Sequence, residues 1–311
     1  MRLAPRLAAL ACAAGVAACE PVVAPAPPPA PVPAPAVPVP QPDSAPVAAL
    51  RAYYAEVQRT LLSRGLMRTD TGARDAPWGA RQLAETFLRI ALFDEFQATR
   101  DGFVAQETAS RLRRWSVPVR VSLRFGDSFP LALRATERAR VASYLARLQS
   151  VTGHPISLTD GPGNFVIAYV NEDERPGLVA AIRAAMPGMT GGEIASFIQM
   201  PTSTYCQVSA ISEGLTGTTI RAFAVIRSEH PDLLSLACLH EEVAQGLGLP
   251  NDSPRARPSV FNDDQEFALL TPMDEAMLGM LYDPRLRPGM TAAEARPIVE
   301  VLARERTGGD S

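Results

Sequence analysis

Twelve of the chain's 29 prolines fall between Pro21 and Pro46, in a stretch made almost wholly of Pro, Ala and Val. Proline fixes its own φ, removes a backbone donor and disfavours helix at the preceding residue. This tract can enter neither a helix nor a sheet, and it is expected to run as extended polyproline at roughly 3 Å per residue. A folded domain must therefore start near residue 47. The remaining 265 positions or so, in a chain that is 47% hydrophobic and 20% charged, suffice for one sizeable core.

What precedes the tract carries a targeting signal. Arg2 and Arg6 form a short basic region, Leu7 to Val16 is apolar, and Val16-Ala17-Ala18-Cys19 closes the run with two small residues before a cysteine. The apolar run is too short to cross a bilayer. It resembles a bacterial lipobox. That resemblance implies a signal peptide over residues 1–18, lipidation of Cys19 with palmitate-type acyl chains, and a lipidated spacer over residues 19–46. The protein is then expected in the cell envelope, lipid-anchored to a membrane and facing the periplasm or exterior. An ordinary secretory leader with an incidental cysteine is the alternative, and it too takes the chain out of the cytoplasm.

Export governs how the other cysteines are read. Cys206 and Cys238 are the only thiols of the mature domain, and in an oxidising compartment a single disulfide between them is expected. The rival is a metal site using both sulfurs. It lacks a Cys-x-x-Cys pair, and His154, His230 and His240 show no ligand spacing. Formal net charge is -3, or about -5 once Arg2 and Arg6 leave, without a Lys/Arg cluster, which argues against nucleic acid as a partner.

Periodicity predicts helices over Ala48–Leu66, Trp78–Glu95, Thr136–Val151 and Leu178–Met186. Strand patterns cover Val117–Phe125, with Val117, Val119, Val121 and Leu123 on one face, and also Phe165–Val170, Tyr205–Ile211 and Thr219–Ile226. No repeat is visible. The order predicts a single α/β (α+β) domain, residues 47–311, with a mixed sheet.

The most informative segment starts at His230. Pro231 suits a first helical position, and Leu233, Leu234, Leu236, Leu239, Val243 and Leu247 form the stripe of a helix that must stop at Gly246 or Gly248, before Pro250. An HExxH motif starting at His240 fails, because Ala244 stands where the second histidine belongs. One residue on, Glu241-Glu242-Val243-Ala244-Gln245-Gly246-Leu247-Gly248-Leu249-Pro250-Asn251 resembles the metzincin helix HExxHxxGxxH. The likeness keeps Glu242 as the base glutamate and Gly248 as the turn glycine, and it puts Glu241, Gln245 and Asn251 at the three zinc-ligand positions.

The likeness extends downstream. Ser259-Val260-Phe261-Asn262 is similar to the turn beneath the metal, with Phe261 for methionine, and Leu270 to Tyr282 is similar to the closing helix. The pattern as a whole, including Tyr282-Asp283-Pro284-Arg285-Leu286 and Pro288-Gly289-Met290, resembles an uncharacterised proteobacterial lipoprotein family with a domain of unknown function, over a core of about residues 80–290. The resemblance implies a zincin/metzincin-like fold. It also implies a degenerate site in which Glu242 is the catalytic candidate and Glu241, Gln245 and Asn251 are the metal candidates if a metal binds. One carboxylate and two amides suit a hard divalent cation better than zinc, and Glu242, Asp252, Asp263 and Asp264 are further oxygen donors nearby in sequence.

Three functions follow as expectations. One is an envelope peptide- or protein-binding lipoprotein without zinc catalysis. The second is an active metal-dependent peptidase or hydrolase with non-histidine ligands. The third is a purely structural tether.

Overall fold

The chain leaves the proline tract through helix α1, Ala45–Ser63, with Pro46 in its first turn and the Ser44 hydroxyl accepting from the Val47 amide. The computed structural model describes residues 42–99, 102–214 and 216–309, and between residues 95 and 107 it describes backbone alone. The expected signal peptide, Cys19 and most of the proline spacer lie outside the described residues. The described residues form one compact unit.

Helix α2, Ala80–Ala91, buries Leu83, Phe87, Ile90 and Ala91, as its three-and-four spacing requires. It ends four residues before the expected Glu95. The chain instead enters an antiparallel hairpin, β1 Phe93–Thr99 and β2 Gly102–Ala109, with Phe93 opposite Ala109 and Thr99 opposite Gly102. The mixed polar and apolar content of Phe93 to Ala109 gives no helix period to carry α2 further, and it escapes as a strand signal for the same reason.

The main sheet is built from β3 Arg114–Trp115, β4 Val119–Phe125, β5 Ile156–Leu158, β6 Phe165–Val170, β7 Cys206–Ser212 and β8 Thr218–Arg227. Strands β5, β4, β6 and β8 run parallel in that spatial order, β7 lies antiparallel along β8, and β3 pairs only with the start of β8. Parallel neighbours need long crossovers. Helix α3, Leu131–Thr152, connects β4 to β5 and starts five residues before the expected Thr136. A 3-10 turn at Arg175–Leu178 with α4, Val179–Ala185, and then α5, Gly191–Ile198, separate β6 from β7. The expected face of β4 begins at Val119, since Val117 precedes the strand and is 45% exposed.

Both faces of the sheet are covered, and the period of two decides which residue goes where. From β6, Phe165, Ile167 and Tyr169 join the larger core with α2, α3 and the C-terminal helices, while Ala168 and Val170 join a smaller core under α4 and α5. Strand β8 divides likewise, with Ala222, Ala224 and Ile226 against Phe223 and Val225.

Three helices follow the sheet: α6 Asp232–Leu247, α7 Pro272–Leu281 and α8 Ala292–Arg306. Pro231 caps α6 from outside rather than opening it. The amide of Leu234, one of the donors a helix start leaves unpaired, donates to the side chain of Gln58 on α1. The expected Cys206–Cys238 disulfide is present, tying the first residue of β7 to the middle of α6 with Cα atoms 5.8 Å apart.

Candidate functional site

Helix α6 lays Cys238, Leu239, Val243, Ala244 and Leu247 into the larger core. Gly246 lies on the same side, and a Cβ there would sit 2.6 Å from the Phe165 ring. Its carbonyl accepts the indole N–H of Trp115 at 2.9 Å. Glu241 and Gln245, four residues apart, share another face and are both half-buried. Glu242, next to Glu241, is turned inward and is 4% exposed.

The turn after α6 depends on Gly248, whose φ is +125° and where a Cβ would lie 2.1 Å from the Arg113 carbonyl oxygen. Only glycine permits both the conformation and the approach. The reversed chain brings Asp252 back to α6, where its carboxylate accepts from the Gln245 amide nitrogen at 3.2 Å. Asn251 is directed elsewhere. Its backbone N–H donates to the Ile90 carbonyl at 3.2 Å and its side-chain amide to the Arg89 carbonyl at 3.0 Å. These are carbonyls of the last turn of α2, which the helix itself cannot satisfy. The turn thus joins residues 251–252 both to Gln245 and to the end of α2.

His240 takes no part in that face. It is buried and stacks on Tyr144 with ring centroids 4.0 Å apart. Its Nδ1 accepts the Leu270 amide at 3.0 Å, and its carbonyl accepts the Tyr144 hydroxyl at 2.7 Å. Burial pushes its pKa down to about 3, with Arg147 and Arg140 adding to the effect, so the imidazole is neutral. His230 is likewise held near 3 by burial, with its ring edge-on to Tyr54.

The segment expected beneath the site is a tightly bonded turn. Phe261 is fully buried and its carbonyl accepts the Ser253 amide at 2.9 Å, linking this turn to the chain that leaves Gly248. Asp274, in the first turn of α7 and 0% exposed, accepts from the Val260 amide at 3.0 Å, the Thr271 amide at 2.8 Å, the Thr271 hydroxyl at 2.9 Å and the Ser259 hydroxyl. Burial raises its pKa to about 6, against the pull of those donors. Asp274 does not stand out in the sequence as a site residue. Its signal was the Thr-Pro-Met-Asp capping pattern at 271–274, which also sets the start of α7. Asp263 and Asp264 are exposed, and Asp264 caps its own turn through the Glu266 amide.

Among the described residues, no group of three or more His, Cys, Asp or Glu side chains is arranged to hold a metal ion. The donor set on α6 and its turn does not fit zinc. It contains neither imidazole nor thiolate, and the amides of Gln245 and Asn251 are engaged with Asp252 and with Arg89.

A family model described as "Protein of unknown function (DUF2927)" matches residues 80–301, from the start of α2 into α8. No curated protein matches the chain. Among the described residues, no helix is long and apolar enough to cross a membrane.

Proposed function

Since the chain belongs to the DUF2927 family, whose description assigns no activity, we propose from its own residues that it is a cell-envelope lipoprotein with a metzincin-like domain that binds a peptide or protein without zinc catalysis. The reading rests on one arrangement. Helix α6, the Gly248 reversal, the buried Phe261 turn and α7 follow one another in the order of a metallopeptidase site, yet the ligand positions hold Glu241, Gln245 and Asn251, and both amides are used to hold the turn in place. What such a helix and turn would present to a peptide is the half-buried face of Glu241 and Gln245, with Glu242 turned inward beside it.

The anchor in this reading is Cys19, carried on a spacer whose twelve prolines keep the domain at a distance from the membrane. Cys19→Ala is expected to abolish acylation and release the protein from membranes, as read by fractionation and intact-mass measurement. A mutant that still carries acyl chains would remove the lipoprotein part of the proposal. For the domain, elemental analysis of the purified protein is expected to give no stoichiometric metal. A panel of envelope-derived peptides is expected to bind the wild type and Glu242→Gln alike, without being cleaved. Stoichiometric metal together with cleavage that Glu242→Gln abolishes would replace this reading with that of an active hydrolase.

A further inference from the structure

Helix α1 lies across the carboxyl ends of β6 and β8 but belongs to neither core of the sheet. Among the described residues, both cores are built from residue 80 onward. Of the nineteen residues of α1 only Val47 and Tyr54 are buried, and Tyr53 and Leu62 are exposed. Tyr54, with half-buried Leu50 and Leu61, meets Leu234, Ala237 and Ala268 in a small separate cluster. The helix hydrogen-bonds to the rest of the domain through three side chains: Arg51 donates to the Ser228 carbonyl at 2.6 Å, the Tyr54 hydroxyl to the Thr202 carbonyl at 3.0 Å, and Gln58 accepts the Leu234 amide at 3.0 Å.

Beneath Tyr54 the domain is polar. The Tyr54 ring is 5.7 Å from the Arg227 guanidinium and edge-on to His230, with ring centroids 4.5 Å apart. Arg227 and Arg175, both 0% exposed, share the Glu172 carboxylate and the Met200 carbonyl, and Glu229 accepts the Glu172 amide at 2.7 Å. Three buried atoms of this group, Arg175 Nε, Glu229 Oε2 and His230 Nε2, have no hydrogen-bond partner among the described residues. A buried polar atom without a partner is costly, and access to water removes the cost. Lifting α1 therefore trades the burial of Tyr54 for the hydration of the groups it covers.

The two ends of α1 differ in the way such a movement needs. One runs into the proline tract. The other reaches Gly65, whose φ is +76° and where a Cβ would meet nothing within 4 Å. Immediately beyond, the chain is fixed: the Met67 amide donates to the Gln265 carbonyl and the Arg68 amide to the Glu266 carbonyl, each at 2.8 Å, and the Arg68 guanidinium pairs with Glu266. We propose that α1 is a releasable strap, hinged at Gly65, that lifts off as a unit while the sheet stays folded and opens the polar crevice at the carboxyl ends of β6 and β8. In open α/β sheets ligands bind outside the carboxyl ends of the strands, so α1 closes that space in cis. The inference uses neither the lipid anchor nor the peptidase-like reading of α6.

The test is hydrogen exchange of the full chain, read at single amides by NMR. The amides of residues 49–62 are expected to exchange roughly a hundredfold or more faster than those of β6 and β8. The Leu234 amide, whose acceptor is Gln58, should exchange with α1 rather than with β8. Tyr54→Ala should speed α1 and Leu234 by roughly tenfold or more, with β6 and β8 unchanged. Arg51→Gln, at a partly exposed side chain, should act in the same direction to a smaller extent, and it keeps the test open if Tyr54→Ala does not fold. The proposal is overturned if α1 exchanges no faster than β8, or if Leu234 keeps the protection of β8 while α1 exchanges. It is equally overturned if the substitutions leave α1 untouched or speed β8 as much as α1. Acylation, metal content and the behaviour of Glu242→Gln are independent of all these outcomes.

Discussion

Two segments meet at the hydrogen bond between Ser253 and Phe261, and they are built in opposite ways. On one side, residues 258–274 converge on Asp274, a fully buried carboxylate with four hydrogen-bond donors from three residues. On the other, residues 241–253 join Gln245 to Asp252 and Asn251 to Arg89, with Glu241 and Gln245 half open to solvent. The first segment is a platform, because a saturated buried acceptor has one arrangement and deviations from it strand several donors. The second keeps its Gln245–Asp252 bond half open to solvent, so in the proposed binding role it is the adaptable face above a fixed base.

The contrast is broken most severely at Asp274. Asp274→Ala leaves the Val260 and Thr271 amides and the Ser259 hydroxyl without their acceptor, while the Thr271 hydroxyl keeps the Pro258 carbonyl, and it is expected to destabilise the domain by about 4 kcal/mol, as read from urea unfolding. A loss below about 1 kcal/mol would mean that the platform is not held by this carboxylate. Opening the disulfide comes next. Cys238→Ser releases a 32-residue separation and should cost about 3 to 4 kcal/mol by the chain-entropy model. A non-reduced digest of the wild type should yield Cys206 and Cys238 in one cross-linked peptide.

Acid should weaken the fold by a similar amount, through two histidines. His230 and His240 are held near pKa 3 by burial, so between pH 6.5 and 3 the unfolded chain binds protons that the folded chain refuses. Stability therefore falls as pH drops below about 6.5, by roughly 2 kcal/mol per histidine at pH 5. Asp274 acts in the other direction. Its pKa is raised to about 6, so the folded chain takes up that proton first and regains roughly 1 kcal/mol over the same interval. The net expectation is a domain about 3 kcal/mol less stable at pH 5 than at pH 7. His240→Gln should lose about two-thirds of that dependence, and Asp274→Asn should steepen it.

Smaller effects belong to the adaptable side. Gly248→Ala places a methyl group against the Arg113 carbonyl at a left-handed position and should cost about 2 to 3 kcal/mol. Gln245→Ala removes one half-exposed hydrogen bond and should cost less than about 1 kcal/mol. If Gln245→Ala proved as damaging as Asp274→Ala, the two segments would be equally rigid and the contrast would fail.

Legibility along the chain followed the kind of signal each residue carries. Phe165 to Val170 is an uninterrupted apolar run flanked by polar residues, and the strand has those bounds. Thr219 to Ile226 extends by one residue at each end as β8. The hairpin from Phe93 to Ala109 was missed because its pairing is between two segments neither of which is patterned alone. Helix α8 was missed as well, although Thr291 and Glu294 form a capping box at its start. At the site, the sequence placed Glu241 and Gln245 on one helix face and the reversal at Gly248. It could not show that Asn251 would be directed at the end of α2, since that carbonyl comes from a residue 162 positions earlier.

By itself, the sequence determined where a fold could begin, that a mixed sheet and helices would form it, which two cysteines would pair, and that α6 would carry no zinc-ligand histidines. These depend on local chemistry: proline's missing donor, the period of apolar residues, the count of thiols and the identity of side chains at fixed spacing. Tertiary structure alone decided the partners. It buried His240 against Tyr144, saturated Asp274, turned Glu242 inward and set Arg227 beneath Tyr54. Those outcomes come from elements distant in the chain meeting in space, and burial and hydrogen bonding, which set each group's charge and freedom, exist only once they have met.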